Sequence, residues 1–255
     1  MNKVFRADCL AGRCILVTGG SSGLGRAVAV ACSEAGARVI AAGRSEERLA
    51  HTLAQLSGPG HTTEVAQLSD PDVVADWIKA LVSRHGPLHG VFHGAGIELV
   101  RPARITKKAQ IDEVFASSIM AALGIARAAA QKGNMHDGGS VVFMSSVAGQ
   151  RGTAGMTAYG AAKAAIDGLV RPLACELAPR YIRVNAITAG AVDTEMHRRL
   201  VGTMAAEAVA DYERRHLLGF GQPQDVANAV VFLLSEAGRW VTGATMPVDG
   251  GYLVR

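Results

Sequence analysis

Short apolar runs alternate with longer stretches of helical periodicity along the whole chain. Most of the apolar runs are continuous rather than alternating, which is typical of strands covered on both faces. Seven runs are candidate strands: 14–17, 38–42, 64–68, 90–93, 140–144, 183–187 and 245–248. Helical patterns fill the intervals near 23–36, 45–56, 70–85, 106–132, 155–178 and 223–235.

This order of elements predicts the fold class. Strands that alternate with helices build a parallel sheet with helices on both faces, and right-handed crossovers wind such a sheet outward in two directions. The prediction is an α/β, Rossmann-type, doubly wound parallel sheet of about seven strands. Since no linker, internal repeat or low-complexity tract interrupts the chain, residues 1–255 are predicted to form a single domain.

Residues 192–221 are the one stretch that departs from this alternation. They are helix-prone but contain a cluster of charged side chains. An insertion between the last strands lies at the carboxyl-end crevice, where ligands bind in such folds. Two interpretations stay open, a substrate lid and a surface helical hairpin. If the segment is a lid, the candidate pocket residues are Met196, His197, Leu200 and Met204.

Charge and composition exclude some classes of function. The formal net charge is +4, and no run of Lys or Arg concentrates it into a patch for nucleic acid. The cysteines are not spaced as metal ligands, so no metal site is predicted, and a reducing cytoplasm is the simplest location. Residues 1–10 lack the apolar stretch of a signal peptide, and no segment reaches the ~20 uninterrupted apolar residues of a membrane span.

A glycine-rich turn joins the first candidate strand to the first helix. It reads Thr-Gly-Gly-Ser-Ser-Gly-Leu-Gly, with its glycines spaced Gly-x-x-x-Gly-x-Gly. Glycine lets the backbone approach a pyrophosphate closely, and the following helix N-terminus faces the anion with free amides. The turn therefore predicts a dinucleotide site. Its candidate cofactor-binding residues are Gly19, Ser21, Ser22, Gly23, Leu24 and Gly25.

The end of the second strand bears on which dinucleotide is bound. An acidic side chain at this edge holds the free 2′-hydroxyl of NAD, whereas arginine favours the 2′-phosphate of NADP. Here Gly43 occupies the acidic position and Arg44 follows it. The prediction is NADP rather than NAD. The alternative is that Arg44 begins a helix surface and pairs with Glu46 or Glu47.

Tyr159 and Lys163 carry the candidate catalytic chemistry. An i, i+4 pair lies on one helix face, so the phenol and the ammonium project into the same cleft. A nearby ammonium favours phenolate and is expected to lower the pKa of the tyrosine toward the working range of an acid/base catalyst. Ser146 ends the fifth candidate strand thirteen residues before Tyr159, so its hydroxyl is expected in the same crevice.

With these motifs the chain resembles the short-chain dehydrogenase/reductase family, in its single-domain form of about 250 residues. The resemblance spans residues 12–251 and includes Asn-Ala-Ile at 185–187 and Val-Asp-Gly-Gly at 248–251. Its closest general likeness is to 3-oxoacyl-thioester reductases. It implies an NADP-dependent oxidoreductase that transfers a hydride between nicotinamide and a ketone or secondary alcohol. It also implies a homotetramer, with a homodimer as the alternative.

The resemblance also implies residue roles. Tyr159 is then the general acid/base, and Lys163 binds the nicotinamide ribose and lowers the Tyr159 pKa. Ser146 holds the substrate oxygen, and Thr194 contacts the nicotinamide carboxamide. Two further cofactor contacts are implied after the fourth strand, by Ala95 and Gly96.

Three positions depart from the family. His93-Gly94 stands where Asn-Asn is usual, and Ala189 stands where proline is usual. Ser118 replaces an asparagine that helps to hold a water linking the catalytic lysine to solvent, so Ser118 is a candidate catalytic residue acting through another water. His93 is expected to be satisfied by local hydrogen bonds. The departures leave an alternative open, a weak or inactive NADP(H)-binding sensor or regulatory protein.

Overall fold

The computed structural model describes residues 6–255, and their parallel strands form one sheet. The strands are β1 (Cys14–Thr18), β2 (Arg38–Gly43), β3 (Thr62–Val65), β4 (Leu88–His93), β5 (Met135–Ser146), β6 (Arg183–Ala189) and β7 (Thr245–Val248). Their order across the sheet is β3-β2-β1-β4-β5-β6-β7. The chain winds outward from the β1–β4 pair in both directions, which confirms the predicted doubly wound α/β sheet.

Helices cover both faces of this sheet. Those within the described residues are α1 (Gly23–Glu34), α2 (Glu46–Leu53), α3 (Pro71–His85), α4 (Lys108–Phe115), α5 (Ala121–Ala130), α6 (Thr157–Leu177), α7 (Glu195–Val201), α8 (Ala206–Arg214) and α9 (Pro223–Leu234). One apolar core lies between the sheet and α3, α5 and α6, and the other lies between the sheet and α1 and α9.

The central strands are continuously apolar because each face meets its own core. In β1, Leu16 belongs to one apolar core, while Ile15 and Val17 belong to the other. Successive side chains of a strand point to opposite faces, so a strand buried on both sides needs no polar positions. All five residues of β1 are buried, as are all seven of β6.

Two strand boundaries were predicted wrongly. The third strand was expected at 64–68 but lies at Thr62–Val65, at the edge of the sheet, where none of its four residues is buried. An edge strand that pairs only with β2 carries little apolar signal to mark its bounds. The fifth strand was expected at 140–144 but extends over Met135–Ser146. Its first residues were missed because polar and glycine residues precede the apolar run and carry no apolar signal.

The helix expected at 106–132 is interrupted. A π-helical turn at Ala116–Met120 separates α4 from α5. The stretch Lys108–Ala130 is the one helix in residues 6–255 that is long and apolar enough to cross a membrane, but half of its most apolar part is buried in the fold.

Helix α5 packs closely on α3. A Cβ on Gly124 would lie 2.6 Å from Cβ of Val74. This close packing of α5 on α3 accounts for the small, apolar residues of α5.

Residues 192–221 form the two short helices α7 and α8, and a bridge between Val192 and Gly221 joins the ends of the segment. The segment lies beyond the carboxyl end of β6, as the sequence predicts.

The prediction that no signal peptide is present concerns residues 1–10, and residues 1–5 lie outside the part of the chain that the structure describes.

Candidate active site

A cavity of about 1060 Å³ opens at the carboxyl ends of the central strands. Its lining includes every predicted site residue except Ser118. The predicted residues that line it are Gly19, Ser21, Ser22, Gly23, Leu24, Gly25, Arg44, Ala95, Gly96, Ser146, Tyr159, Lys163 and Thr194. The lid candidates Met196, His197, Leu200 and Met204 line it as well. The structure therefore favours the lid over the surface hairpin for residues 192–221.

The glycine turn leaves no room for side chains. A Cβ on Gly25 would lie 2.1 Å from the carbonyl oxygen of Gly19, a distance that no relaxation of a flexible side chain could relieve. Gly19 has φ +71°, and its Cβ would lie 2.7 Å from the backbone of Gly94 and of Ala95. The turn thus packs directly on the loop after β4, and only glycine satisfies both approaches.

The N-terminus of α1 is suited to an anion. Its N-cap residue Ser22 makes no side-chain capping hydrogen bond, and the first turn holds no acidic residue. By contrast, Ser45 caps α2 and Asp70 caps α3 through their side chains. Helix N-termini with free amides bind phosphate groups. Since residues 22–25 line the cavity, the residues present fit the pyrophosphate of a nicotinamide dinucleotide.

The edge of the cavity beside β2 carries an exposed guanidinium. Arg44 lines the cavity and has no ion pair with any residue in 6–255, so the expected alternative pairing with Glu46 or Glu47 is not found. A Cβ on Gly43 would lie 3.0 Å from both Cβ and Oγ of Ser21. A carboxylate at position 43 would therefore crowd the turn as well as repel a phosphate.

Tyr159 and Lys163 face each other in the cavity from the first turns of α6. The Nζ atom of Lys163 lies 5.7 Å from the centroid of the Tyr159 ring. The same nitrogen donates a 2.9 Å hydrogen bond to the carbonyl oxygen of Met144, in β5. A Cβ on Gly96 would lie 3.4 Å from Nζ, so the ammonium also borders the loop after β4.

The expected direction of the Tyr159 pKa is wrong. Burial raises the pKa of Tyr159 above its ordinary value, the negative charge of Glu98 raises it further, and the Ser146 hydroxyl only partly opposes this. Burial also lowers the pKa of Lys163 to about 8, with Asp167 acting in the opposite direction. Desolvation is the largest cause of both shifts, because burial disfavours the charged form of each group. At neutral pH the phenol is therefore protonated and suited to donate a proton.

Ser146 lies at the carboxyl end of β5, where its hydroxyl reaches the cavity. Its Oγ accepts a hydrogen bond of 3.2 Å from the backbone N–H of Ala148, which caps the short turn that follows the strand. A serine hydroxyl that accepts from its own turn can still donate its proton to a third group. Ser146 can thus hold the oxygen of a carbonyl substrate beside Tyr159.

Ser118 is the predicted catalytic residue that does not line the cavity. It lies in the π-helical turn and is buried, and its hydroxyl has no hydrogen-bond partner among the described residues. Its carbonyl oxygen instead lies 3.2 Å from Nε2 of His93, while Nδ1 of His93 lies 2.8 Å from the Thr18 hydroxyl. His93 thus has both ring nitrogens hydrogen-bonded, as its local interpretation predicts, and one of them contacts the backbone of Ser118. The catalytic role of the Ser118 hydroxyl through a water stays a prediction.

Burial, with a smaller effect from Lys163, lowers the pKa of His93 to about 4. Since an unfolded histidine titrates near 6.5, the unfolded state binds the extra proton first, and stability is lost as the pH falls from 6.5 toward 4. We expect the free energy of unfolding to drop by about 2 kcal/mol between pH 7 and 5 through this residue. In the variant His93→Asn this part of the pH-dependent decrease in the free energy of unfolding should be absent, as measured by urea denaturation at both pH values.

The exposed histidine His51 supplies the matched control, since His51→Asn should keep the acid sensitivity of the parent protein. If His93→Asn and the parent lost equal stability between pH 7 and 5, His93 would not be the neutral, buried bridge between Thr18 and Ser118.

Glu98 and Tyr212 are among the cavity residues that were not anticipated from the sequence. Glu98 follows β4 by five residues, and Tyr212 lies on α8 in an aromatic group with His197, His216 and Phe220. Burial raises the pKa of Tyr212 to about 12, with charges on Tyr252 and Glu98 adding to the effect. Neither residue belongs to a spaced motif, so the fold alone brings them to the cavity.

Comparison with known proteins gives full-length matches. A family model described as enoyl-(acyl carrier protein) reductase matches residues 19–253. A 3-oxoacyl-[acyl-carrier-protein] reductase from Thermotoga maritima is 32% identical over 249 residues, covering 96% of this chain and 99% of the relative. An L-xylulose reductase from Mesocricetus auratus is 33% identical over 247 residues, covering 96% and 98%.

A solved structure matches equally well. It is described as an NAD(P)-dependent gluconate 5-dehydrogenase from Beutenbergia cavernae, with NADP bound at low occupancy. The TM-score is 0.87 at 32% sequence identity, and the alignment covers 98% of this chain and 100% of the other. These similar proteins are named for the oxidation or reduction of alcohol and carbonyl groups.

Proposed function

The chain belongs to the short-chain dehydrogenase/reductase family, and we propose that it is an NADP-dependent reductase of ketones. As a member of the family it is an oxidoreductase that transfers a hydride between a nicotinamide cofactor and a carbonyl or secondary alcohol. The observation that carries the proposal is the placement of Tyr159, Ser146 and Lys163 in one cavity with an uncapped helix N-terminus. This favours the enzyme over the sensor.

The chain's own residues handle the oxygen and its proton. Ser146 donates a hydrogen bond to the substrate oxygen and stabilises the charge that develops there. Tyr159, protonated at neutral pH, gives its proton to that oxygen as the carbonyl becomes an alcohol. Lys163, held by the Met144 carbonyl, places a positive charge beside the phenol ring and the loop after β4. The bound nicotinamide would supply the hydride.

The choice of NADP rests on the edge of the cavity beside β2. A guanidinium forms strong, charge-assisted hydrogen bonds with a phosphate. Arg44 lines the cavity there with no acidic partner among residues 6–255, and Gly43 supplies no carboxylate to bind a ribose hydroxyl. Both features support a 2′-phosphate at this edge.

Arg44→Ala should raise the dissociation constant for NADPH by about 10- to 100-fold, because it removes charged hydrogen bonds worth about 1.5–3 kcal/mol. The affinity for NADH should change less than about threefold, since NADH has no 2′-phosphate for the guanidinium to hold. Titration of each cofactor by fluorescence measures both constants.

Arg48→Ala is the control for this experiment, because Arg48 lies on the adjacent helix and pairs with Glu195 at 3.5 Å instead of lining the cavity. Equal losses of NADPH and NADH affinity in Arg44→Ala would reject the phosphate contact.

We also propose a homotetramer and a cytoplasmic location. The homotetramer is supported by exposed apolar side chains along α4 and the adjoining turn and helix, namely Ile111, Met120 and Leu123. Two or more subunits that share these faces would cover them. A reducing location is supported by Cys9, Cys14, Cys32 and Cys175, all of which are free.

A further inference from the structure

The cavity is lined by a half-buried carboxylate, that of Glu98. Glu98 forms no hydrogen bond or ion pair with any residue in 6–255. Burial raises its pKa, and the charge of Arg199 only partly opposes this. A desolvated carboxylate without a partner is costly to a protein. Such a group is expected to receive its hydrogen bonds from a ligand.

Glu98 lines the same cavity as the reactive phenol. The negative charge of Glu98 raises the pKa of Tyr159 in the catalytic centre and of Tyr212 on the lid helix α8. Tyr212 lines this cavity as well. A substrate whose carbonyl oxygen is held by Ser146 and Tyr159 would occupy the cavity that Glu98 also lines. Hydroxyl groups on such a substrate are the donors that a carboxylate accepts from.

On the lid, the exposed cation Arg199 forms no ion pair at hydrogen-bonding distance with an acidic side chain in residues 6–255. Its Nε donates to the carbonyl oxygen of Glu195 within α7, and the side chain lines the cavity. The adjacent Arg198, by contrast, pairs with Asp193 at 2.7 Å and does not line the cavity. A guanidinium with free N–H groups is suited to a carboxylate, which it can bind through two parallel hydrogen bonds.

We infer that the substrate is a polyhydroxylated ketone with a carboxylate group, a keto-aldonic acid, whose hydroxyls donate to Glu98 and whose carboxylate pairs with Arg199. The inference rests on the proposed function and specifies its substrate. In the reduction, a hydride from the nicotinamide forms the new C–H bond, the C=O π bond breaks, and the Tyr159 proton converts the oxygen to a hydroxyl. A long acyl chain would bury methylene groups against the Glu98 charge instead.

Five probes separate the two contacts when NADPH oxidation is followed with each variant. They are 2-keto- and 5-keto-D-gluconate, with both groups; L-sorbose, with hydroxyls only; levulinate, with a carboxylate only; and cyclohexanone, with neither. Glu98→Gln should lower kcat/KM by about 10- to 100-fold for the keto-gluconates and L-sorbose, while levulinate and cyclohexanone change less than about threefold. The glutamine keeps the size of the side chain and loses only the charge.

Arg199→Ala should lower kcat/KM by about 10- to 100-fold for the keto-gluconates and levulinate, but not for L-sorbose. Arg198→Ala, one position away, should leave kcat/KM for all five probes within about threefold of the parent protein, as expected for an exposed ion pair. This pattern, with each variant affecting only the probes that carry its group, is the supporting result.

Failure of the inference is distinguishable from failure of the proposed function. If acetoacetyl-coenzyme A is reduced more efficiently than every keto-gluconate and Glu98→Gln leaves both unchanged, the substrate inference is overturned while the reductase remains. If neither cyclohexanone nor any other carbonyl probe is reduced with NADPH or NADH, the proposed function itself fails.

Discussion

Tyr159→Phe should lower kcat by about 10³-fold, because it removes the phenol proton that Tyr159 delivers to the substrate oxygen. The phenol is protonated at neutral pH, since burial and the Glu98 charge raise its pKa. The ring itself remains, so the cavity keeps its shape and NADPH should bind within about threefold of its parent affinity. Steady-state rates with a reactive ketone and a fluorescence titration of NADPH measure the two quantities separately.

The control for this substitution is Tyr181→Phe, since Tyr181 is 80% exposed after the end of α6 and does not line the cavity. Its turnover should equal that of the parent protein. If Tyr159→Phe kept more than a tenth of the parental turnover, Tyr159 could not be the proton donor.

Lys163→Met should lower activity and raise stability together. The ammonium is 4% exposed, and burial lowers its pKa from 10.5 to about 8, which costs the folded state about 3 kcal/mol. Methionine removes that charge but also leaves the Met144 carbonyl without its donor, a loss of about 1 kcal/mol. The variant should therefore be about 2 kcal/mol more stable at pH 7, while losing about 100-fold in kcat.

The pH dependence tests the cause of this gain. Because the pKa of a cation is lowered by folding, the penalty is fully present below pH 8 and is lost as the pH rises to 10.5. The stability gap between Lys163→Met and the parent should accordingly close over that interval in urea denaturation. Lys79→Met, at an exposed position of α3, should show neither effect. A variant less stable than the parent at pH 7 would refute the desolvation argument.

The fold could be predicted because its strongest signals are local. β1 and β6 are continuous apolar runs since both of their faces are buried, and their positions agree with the sequence to within two residues. β3 was displaced because an edge strand with no fully buried residue leaves no such signal. The π-helical turn at Ala116–Met120 was missed because it changes the hydrogen bonding of a helix without changing its apolar periodicity.

The site could be located from the sequence but its electrostatics could not. Motifs place residues that are close in the chain, as with Tyr159 and Lys163 on one helix. The raised pKa of Tyr159 depends on burial by distant segments and on Glu98, which follows a different strand. Ser118 matched a family position in sequence, yet the π-helical turn directs its carbonyl rather than its hydroxyl into a defined contact, with His93. Such features require the tertiary structure.

The pairing of β1 with β4 also bears on how the molecule assembles. Ile15 lies beside Gly90 in this pair, and no other neighbouring strands of the described sheet join residues so far apart in the chain. Closing so long a loop costs chain entropy and slows folding. Since the crevice for the dinucleotide lies at this junction, a chain that has not yet closed it has no place for a nucleotide. The cofactor therefore binds only the folded protein, in which the sheet is complete, and stabilises it by mass action.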